Sequence, residues 1–323
     1  MTPYHLMLFV LPAQVLLVGI LMFVTPRLTR PDILFSVTVD PAFRASGAGR
    51  RILRGFRAAT IASSAAALLV IAAGLATKAP WLIGAGVVLQ VVGQTLAFLA
   101  AHRRTLPHAT PPSPVREAAL APHRPTLPGG VAGQAGPFVI LAAAAAWIGS
   151  RWERLPARFP VHWNISGRAD GWADRSLAGV FGSIVDGAVM CALLLLLAWL
   201  LLTRSRRIAA TGDRAQAEQR FRLTTSTIVL ATEYLLAGTF ALLTALPLLG
   251  SPSGVAAAVT LGTFVFVVAT VVVLARLGQG GTRLAAANVA APPVGDRTAD
   301  ANWRWGLVYV NRNDPALLVE KRF

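Results

Sequence analysis

The residues best suited to chemistry lie in a polar stretch between two apolar segments, from Arg151 to Trp172. His162 is the only histidine there, and its imidazole could bind a metal, move a proton or contact a ligand. A metal site needs three or four ligands, and Asp170 and Asp174 are weak further donors. We therefore expect hydrogen bonding within the loop or ligand binding. The candidates are His162, Trp163, Asn164, Gly167, Asp170, Gly171 and Trp172.

Two carboxylates lie inside otherwise apolar stretches. At 1.5 Å per residue, Asp186 is about 12 Å and Glu233 about 10 Å from the start of its segment. An acid in a lipid-solvated helix costs about 2.5–3.5 kcal/mol on insertion scales, which makes it a functional candidate. Two interpretations stay open: both acids line a polar cavity for a cation, proton or ligand, or each faces a polar neighbour or the interface.

Motifs of known enzymes are not found elsewhere in the chain. We find no glycine-rich phosphate loop, nucleophile elbow, zinc motif or spaced catalytic dyad. The sequence Gly278-Gln-Gly-Gly281 lacks the lysine of a phosphate loop, so it indicates a helix stop. We expect no catalytic residue, no metal and no cofactor, and we expect that the protein is not an enzyme.

The elements that position these residues are predicted from composition. Of 323 residues 55% are hydrophobic and 14% are charged, whereas soluble proteins have about 25% charged residues. Crossing a hydrocarbon core of about 30 Å takes about 20 apolar residues. The segments that meet this requirement are Tyr4–Val24, Arg57–Thr77, Trp81–Ala101, Ala178–Leu202, Ser226–Leu249 and Gly254–Ala275. A seventh, Ala132–Trp152, is weaker, because its strongly apolar part, Pro137–Ile148, is short and alanine-rich. By itself this segment also fits a buried or re-entrant segment.

The distribution of charge favours seven spans. With seven, 24 of the 30 basic residues fall on one side of the membrane, and basic loops stay cytoplasmic. This predicts an outside N-terminus, a cytoplasmic C-terminus and an outside Arg151–Leu177 loop. The net charge of +16 fits cationic loops beside an anionic leaflet better than nucleic acid. Because only Lys78 and Lys321 are lysines, arginine usage indicates a GC-rich bacterial genome and the bacterial plasma (inner) membrane.

Local patterns predict small soluble elements at both ends of the spans. Phe159–Ile165 alternates as a short strand, with turn signals at Ser166-Gly167 and Asp170-Gly171. In the terminal segment Trp303, Trp305, Leu307 and Tyr309 alternate onto one face. We expect a hairpin there that turns at Asn311–Pro315, returns over Ala316–Arg322, and docks on the cytoplasmic loops or on a partner, because two strands alone are marginal. The partner-binding candidates are Trp303, Trp305, Tyr309, Asp314 and Pro315.

The predicted fold class is an all-α polytopic membrane protein of about seven transmembrane helices, with a short extracytoplasmic loop domain and a small C-terminal cytoplasmic β-hairpin. The expected divisions are residues 1–150 for helices one to four, 151–177 for the outside loop, 178–276 for helices five to seven, 277–301 for a linker and 302–323 for the hairpin segment.

The outside loop also resembles a known family. The residues Leu155-Pro156, Pro160-Val161-His162-Trp163-Asn164, Gly167 and Asp170-Gly171-Trp172 are similar to the motif of the domain of unknown function 1648. The stretch Ile33–Pro41, followed by the basic Arg50–Arg57, resembles the cytoplasmic loop of its larger members. The resemblance implies a bacterial membrane protein related to the SdpI-like immunity proteins, which protect a cell from a secreted killing peptide.

A second resemblance concerns the terminal segment. Asn302–Asn311 and Asp314–Phe323 are similar to the domain of unknown function 5808.

Three hypotheses for function follow. The first is a receptor or immunity-type protein that senses or resists an extracytoplasmic peptide or envelope component and engages a regulatory protein inside the cell. The second is a small-solute or ion transporter that uses Asp186 and Glu233. The third is a structural membrane subunit.

Overall fold

A computed structural model describes residues 3–111, 127–163, 169–204, 213–250, 252–278, 281, 283–284, 299–305 and 308–313. The chain divides into two compact units. Unit 1 comprises residues 1–7, 123–204 and 222–273, and unit 2 comprises residues 8–122, 205–221 and 274–323.

Within the described ranges, seven helices are long and apolar enough to cross a membrane. They are α1 Pro3–Leu28, α2 Gly47–Thr77, α3 Pro80–Thr105, α4 Gly130–Gly149, α5 Leu177–Arg204, α6 Asp213–Leu249 and α7 Pro252–Leu277. The prediction of a polytopic helical membrane protein is confirmed. Several helices outrun the apolar segments that predicted them because polar residues at their ends continue the helix beyond the hydrocarbon thickness.

The weakest predicted span is a full helix, α4. One side chain of α6 explains how this helix tolerates an internal proline. Pro137 has no N–H, so it leaves the carbonyl of Gly133 without its helical donor. The Tyr234 hydroxyl donates to that carbonyl at 3.0 Å. Gly136 makes room for this ring, since a Cβ there would collide with the Tyr234 hydroxyl. α6 therefore restores the hydrogen bond that the proline removes.

In unit 2, α2 and α3 pack as an antiparallel pair through small residues, as is common in membranes. A Cβ on Gly86 would lie 2.6 Å from Ile71 Cγ1, and one on Gly93 would lie 2.7 Å from Ser63 Cβ. The Gln94 amide adds a hydrogen bond to Ser64 Oγ at 3.2 Å. Close backbone approach and a buried polar contact together hold these two helices.

Between α1 and α2 the chain forms a hairpin of two short strands, β1 Ile33–Leu34 and β2 Val37–Thr38. Its turn residues Phe35 and Ser36 have φ of 48° and 61°, a left-handed conformation that usually takes glycine or asparagine. Burial of the Phe35 ring compensates for this strain: it packs edge-on against Phe56 at 4.8 Å. The His102 ring also bonds to the Phe35 carbonyl through Nδ1 at 2.8 Å.

Arg44 fastens this hairpin to the end of α1. Its guanidinium donates to the Pro26 and Arg30 carbonyls at 2.7 and 2.6 Å, and also to the Ile33 carbonyl. Burial lowers the pKa of the Arg44 guanidinium, and the negative charge of Asp32 opposes that shift. An arginine stays charged at neutral pH, so this is a cation held by backbone oxygens.

The C-terminal segment forms a hairpin, but it turns earlier than predicted. β5 Trp303–Arg304 pairs with β6 Val308–Tyr309, so Trp305 lies in the turn, with φ of 53°. Trp303 is buried against the Tyr309 ring at 5.1 Å, whereas Trp305 is 66% exposed. The prediction that Trp305 shares a face with these rings is wrong, because the chain reverses before strand alternation reaches it. The predicted return strand lies outside the described residues.

The terminal segment contacts the β1–β2 hairpin within unit 2. Asp300 Oδ2 accepts a hydrogen bond from the Thr38 backbone N–H at 3.1 Å, at the β1–β2 hairpin. A cavity of about 280 Å³ lies beside this contact, lined by His102, Arg103 and the two tryptophans of the segment among others. Docking supplies the support that a two-stranded hairpin lacks by itself.

Candidate functional site

The polar loop between α4 and α5, which contains the candidates predicted from the sequence, forms a β-hairpin at the ends of these two helices. Its strands are β3 Arg158–Trp163 and β4 Ala169–Asp174. Beneath them, Phe159 packs in a buried cluster with Ile148, Leu155 and Val180. The predicted strand over Phe159–Ile165 is confirmed as far as Trp163. The hairpin therefore has an apolar foundation in unit 1.

Arg175 braces this foundation, a role that sequence reasoning missed. Its guanidinium lies 3.4 Å from Glu153 Oε2 and 3.4 Å from the carbonyls of Trp152 and Leu155. Its backbone N–H donates to the Ala157 carbonyl at 2.8 Å. The signal available in the sequence was that the loop has more arginines than acids. An arginine without an acidic partner can instead donate to backbone carbonyl oxygens, as Arg175 does.

The prediction of a turn at Asp170-Gly171 is wrong, because both residues lie in β4. The register is irregular there: His162 pairs with Gly171, with shifts on both sides of His162. A Cβ on Gly171 would lie 2.7 Å from His162 Cβ. Glycine at this position thus serves close backbone approach at a bulge, not a turn.

The bulge brings together two of the predicted site residues. His162 Nδ1 lies 2.5 Å from Asp170 Oδ1, and the side chains are 72% and 44% exposed. A side-chain contact this exposed contributes at most about 1 kcal/mol to stability. Asp174 is not part of this pair: it lies at the other end of β4, opposite Arg158. The His162–Asp170 pair is therefore displayed to solvent and adds little to folding.

Aromatic and aliphatic groups flank the pair on the exposed surface. Trp172 is 49% exposed, and the Arg158 guanidinium lies 5.6 Å from its ring centroid. Val161 is 52% exposed on β3. Exposed aromatic and β-branched side chains beside a polar pair make a surface suited to binding an extended ligand. We refer to Arg158, Val161, His162, Asp170 and Trp172 as the hairpin face.

Three further candidates in this loop have partial or no description. Trp163 is described only in its backbone, which pairs with Ala169. Asn164 and Gly167 lie outside the described residues.

The two intramembrane acids have different surroundings. Glu233 on α6 is fully buried, and neither of its carboxylate oxygens has a hydrogen-bond partner among the described residues. Its backbone carbonyl accepts from the Cys191 thiol of α5 at 3.6 Å. Asp186, one and a half turns earlier on α5, is exposed. The hypothesis that both acids line one cavity stays a prediction. Glu233 is buried whereas Asp186 is exposed, so the two carboxylates have different environments.

Among the partner-binding candidates, Trp305 is the exposed one. Trp303 and Tyr309 pack against each other inside the terminal hairpin. Asp314 and Pro315 lie outside the described residues.

These features define a multi-pass integral membrane protein, with a lipid bilayer as its environment and a structured hairpin between its fourth and fifth helices. Residues 138–185 match the family described as Domain of unknown function (DUF1648). The match covers the second half of α4, the whole hairpin and the start of α5, so the resemblance seen in the sequence is confirmed for this segment. The resemblance of the terminal segment to the domain of unknown function 5808 stays a prediction. Comparison with curated proteins and with solved structures gives no match.

Proposed function

We propose that this protein is a membrane receptor or immunity-type protein whose hairpin face recognises an extracytoplasmic peptide or envelope component. The observation that carries the proposal is the contrast within β3. Phe159 is buried as an anchor, whereas Val161 and His162 on the same strand are displayed to solvent. A displayed surface on a fixed foundation is what a binding site requires.

The form of the hairpin supports a peptide as the ligand. β3 and β4 make a sheet of two strands in the described part of the chain, so each strand has an outer edge with backbone groups available for pairing. An extended peptide can add to such an edge, with affinity from main-chain hydrogen bonds and specificity from side chains. On the hairpin face, Trp172 offers an apolar contact, and the His162–Asp170 pair offers both a donor and an acceptor.

Orientation follows from charge and alternation. When each of the seven helices crosses once, the β3–β4 hairpin and the α2–α3 turn share one side. The arginine-rich connections lie on the other, which the positive-inside rule makes cytoplasmic. The N-terminus is then outside and the C-terminus inside, in the plasma membrane of a bacterium. A reporter fused after Arg168 tests this, because cytoplasmic activity of that reporter would refute the orientation.

The terminal hairpin is the proposed cytoplasmic contact for a regulatory protein. Its Trp305 is exposed while the neighbouring Trp303 is buried, so the segment is anchored by one tryptophan and presents the other. Exposed tryptophans are frequent at the energetic centres of interfaces.

The test compares cells that carry the wild-type protein, the double variant His162→Ala/Trp172→Ala, and the control Trp81→Ala. Trp81 is 72% exposed, is not part of the β3–β4 hairpin and lies on the same proposed side of the membrane. Growth inhibition by a panel of secreted antimicrobial peptides is measured at matched protein levels. We expect the double variant to lose protection or response to at least one peptide and Trp81→Ala to keep it.

Unchanged sensitivity of the double variant to the whole panel, together with no crosslinking of any panel peptide to a photoreactive residue at position 161, would count against a peptide receptor.

A second candidate function, a small-solute or ion transporter, is favoured by Glu233. A fully buried acid without a hydrogen-bond partner among the described residues is costly in a membrane helix and marks a pathway or binding group. Solute and proton flux into reconstituted vesicles tests this candidate. Flux abolished by Glu233→Gln but retained by Asp186→Asn would support it, and absence of flux in the wild type would oppose it.

A further inference from the structure

Three arginines at one end of the α2–α3 pair form a cationic cluster that the proposed function does not use. Arg51 and Arg54 lie in the first turns of α2, and Arg104 lies in the last turn of α3. All three are exposed. Because α2 and α3 are antiparallel, the start of one meets the end of the other, which brings arginines distant in sequence to the same place.

The guanidinium groups lie along the surface of α2. Arg104 Nη1 is 3.5 Å from the position that a Cβ on Gly55 would occupy, and Arg51 Nη1 is 3.7 Å from the corresponding position on Gly47. Arg54 Nε lies 3.4 Å from the Arg50 carbonyl, back toward the helix start. The Arg104 guanidinium therefore rests against α2 at Gly55, on the helix that carries Arg51 and Arg54.

Nothing on these two helices neutralises the cluster. Neither α2 nor α3 contains an aspartate or a glutamate. The N-terminus of α2, where Arg51 points, adds the positive end of the helix dipole. The arginine side chains and the helix dipole both contribute positive charge, and neither helix contains an acid. This arrangement favours the binding of an anion.

The position of the cluster identifies the class of anion. α2 has 31 residues, which at 1.5 Å each span roughly 46 Å, longer than a hydrocarbon core of about 30 Å. Its first turns therefore extend into the headgroup region. A planar guanidinium group can donate two parallel hydrogen bonds to two oxygens of one phosphate. We propose that Arg51, Arg54 and Arg104 form a binding site for the phosphate of an anionic phospholipid headgroup, a site that does not depend on the receptor function.

The experiment uses the purified full chain in a non-ionic detergent. Apparent affinity is measured from the rise in thermal unfolding midpoint on titration with phosphatidylglycerol, with phosphatidylcholine and inorganic phosphate as comparison probes. A basic residue near a lipid surface contributes about fivefold in affinity, so we expect Arg54→Gln/Arg104→Gln to weaken phosphatidylglycerol binding roughly 25-fold.

Arg103→Gln is the matched control. It removes one positive charge, where the double variant removes two, and Arg103 lines the cavity beside Trp303. We expect it to weaken binding by no more than the roughly fivefold that any basic residue near a lipid surface contributes. Gly55→Leu keeps every charge and displaces Arg104, so we expect it to weaken binding as well. That result separates a built site from a general effect of positive charge.

Three results would overturn the proposal. The first is an equal rise in unfolding midpoint with phosphatidylglycerol and phosphatidylcholine. The second is an equal loss of phosphatidylglycerol affinity in Arg103→Gln and in the double variant. The third is a rise with inorganic phosphate equal to that with phosphatidylglycerol, which would assign the site to a soluble anion. Should the variants fail to fold, mass spectrometry of lipids retained by the wild-type protein decides. Enrichment of anionic phospholipid supports the site, and its absence opposes it.

Discussion

The β1–β2 and β3–β4 hairpins are both two-stranded antiparallel ribbons that connect consecutive membrane helices, yet their side chains meet different surroundings. Leu34 and Val37 of the first are fully buried, and Arg44 donates to the Ile33 carbonyl beside Leu34. On the second, Val161 and Trp172 are about half exposed. The first hairpin fills the space at the end of its helices, whereas the second presents a surface.

This difference shows how the same local structure serves packing in one place and display in another. Strand alternation is not enough to distinguish the two, because it places one set of side chains on each face in both cases. The neighbours decide: α2 and α3 residues such as Phe56 and Ala101 cover the first hairpin from one side, and its own flanking segments cover the rest. The second is covered by the Phe159 cluster on one face only.

The largest expected effect sharpens the comparison at the first hairpin. Arg44→Gln leaves several backbone carbonyls with a shorter, neutral partner or none, and we expect a loss of roughly 4 kcal/mol in the free energy of unfolding. Chemical unfolding in detergent micelles measures it. The control Arg50→Gln alters an exposed arginine two turns later and should cost less than about 1 kcal/mol. Equal losses of unfolding free energy in the two variants would mean that the hydrogen bonds of Arg44 do not stabilise the hairpin.

The next effect compares a buried and an exposed position of β3. Phe159→Ala removes a buried ring, and we expect a loss of about 3 kcal/mol. Val161→Ala, two residues along at an exposed position beside the register shift, should cost less than about 1 kcal/mol. The same unfolding assay compares them. A large loss of unfolding free energy in Val161→Ala would mean that the hairpin face is buried in the folded protein. The β3–β4 hairpin would then not differ from the β1–β2 hairpin in exposure.

A smaller effect tests the foundation of the second hairpin through α4. Tyr234→Phe removes the donor to the Gly133 carbonyl, and we expect a loss of about 1 kcal/mol. In a Pro137→Ala background the helix supplies its own N–H, so the cost of Tyr234→Phe should fall close to zero. A double-mutant cycle measures this coupling. Independent costs would show that the tyrosine and the proline do not compensate each other.

The smallest expected change in stability is at the His162–Asp170 pair. His162→Gln should change the free energy of unfolding by less than about 0.5 kcal/mol, because both groups are exposed. The same variant should weaken peptide crosslinking to the hairpin face if that face binds a ligand. A loss of stability above about 2 kcal/mol would instead give the pair a structural role and remove this argument for recognition.

Sequence reasoning predicted the seven helices well because each depends on a local quantity, the length of an apolar run relative to the bilayer. By residue type it selected three members of the hairpin face, His162, Asp170 and Trp172, but not Arg158 or Val161. It misassigned Gly171 to a turn because glycine serves both turns and close approach, and only the presence of the His162 backbone distinguishes the two. It misplaced the terminal turn because Trp305 adopts a left-handed conformation that propensity does not favour for tryptophan.

Length and charge along the chain determined by themselves that this protein crosses a membrane many times, since transfer of apolar segments into lipid needs no knowledge of their neighbours. Which polar groups are buried depended on tertiary structure. Glu233 and Asp186 have similar positions within apolar runs, but helix packing encloses the first and leaves the second exposed. The same holds for the two hairpins, because burial depends on the neighbouring elements and a local pattern cannot specify them.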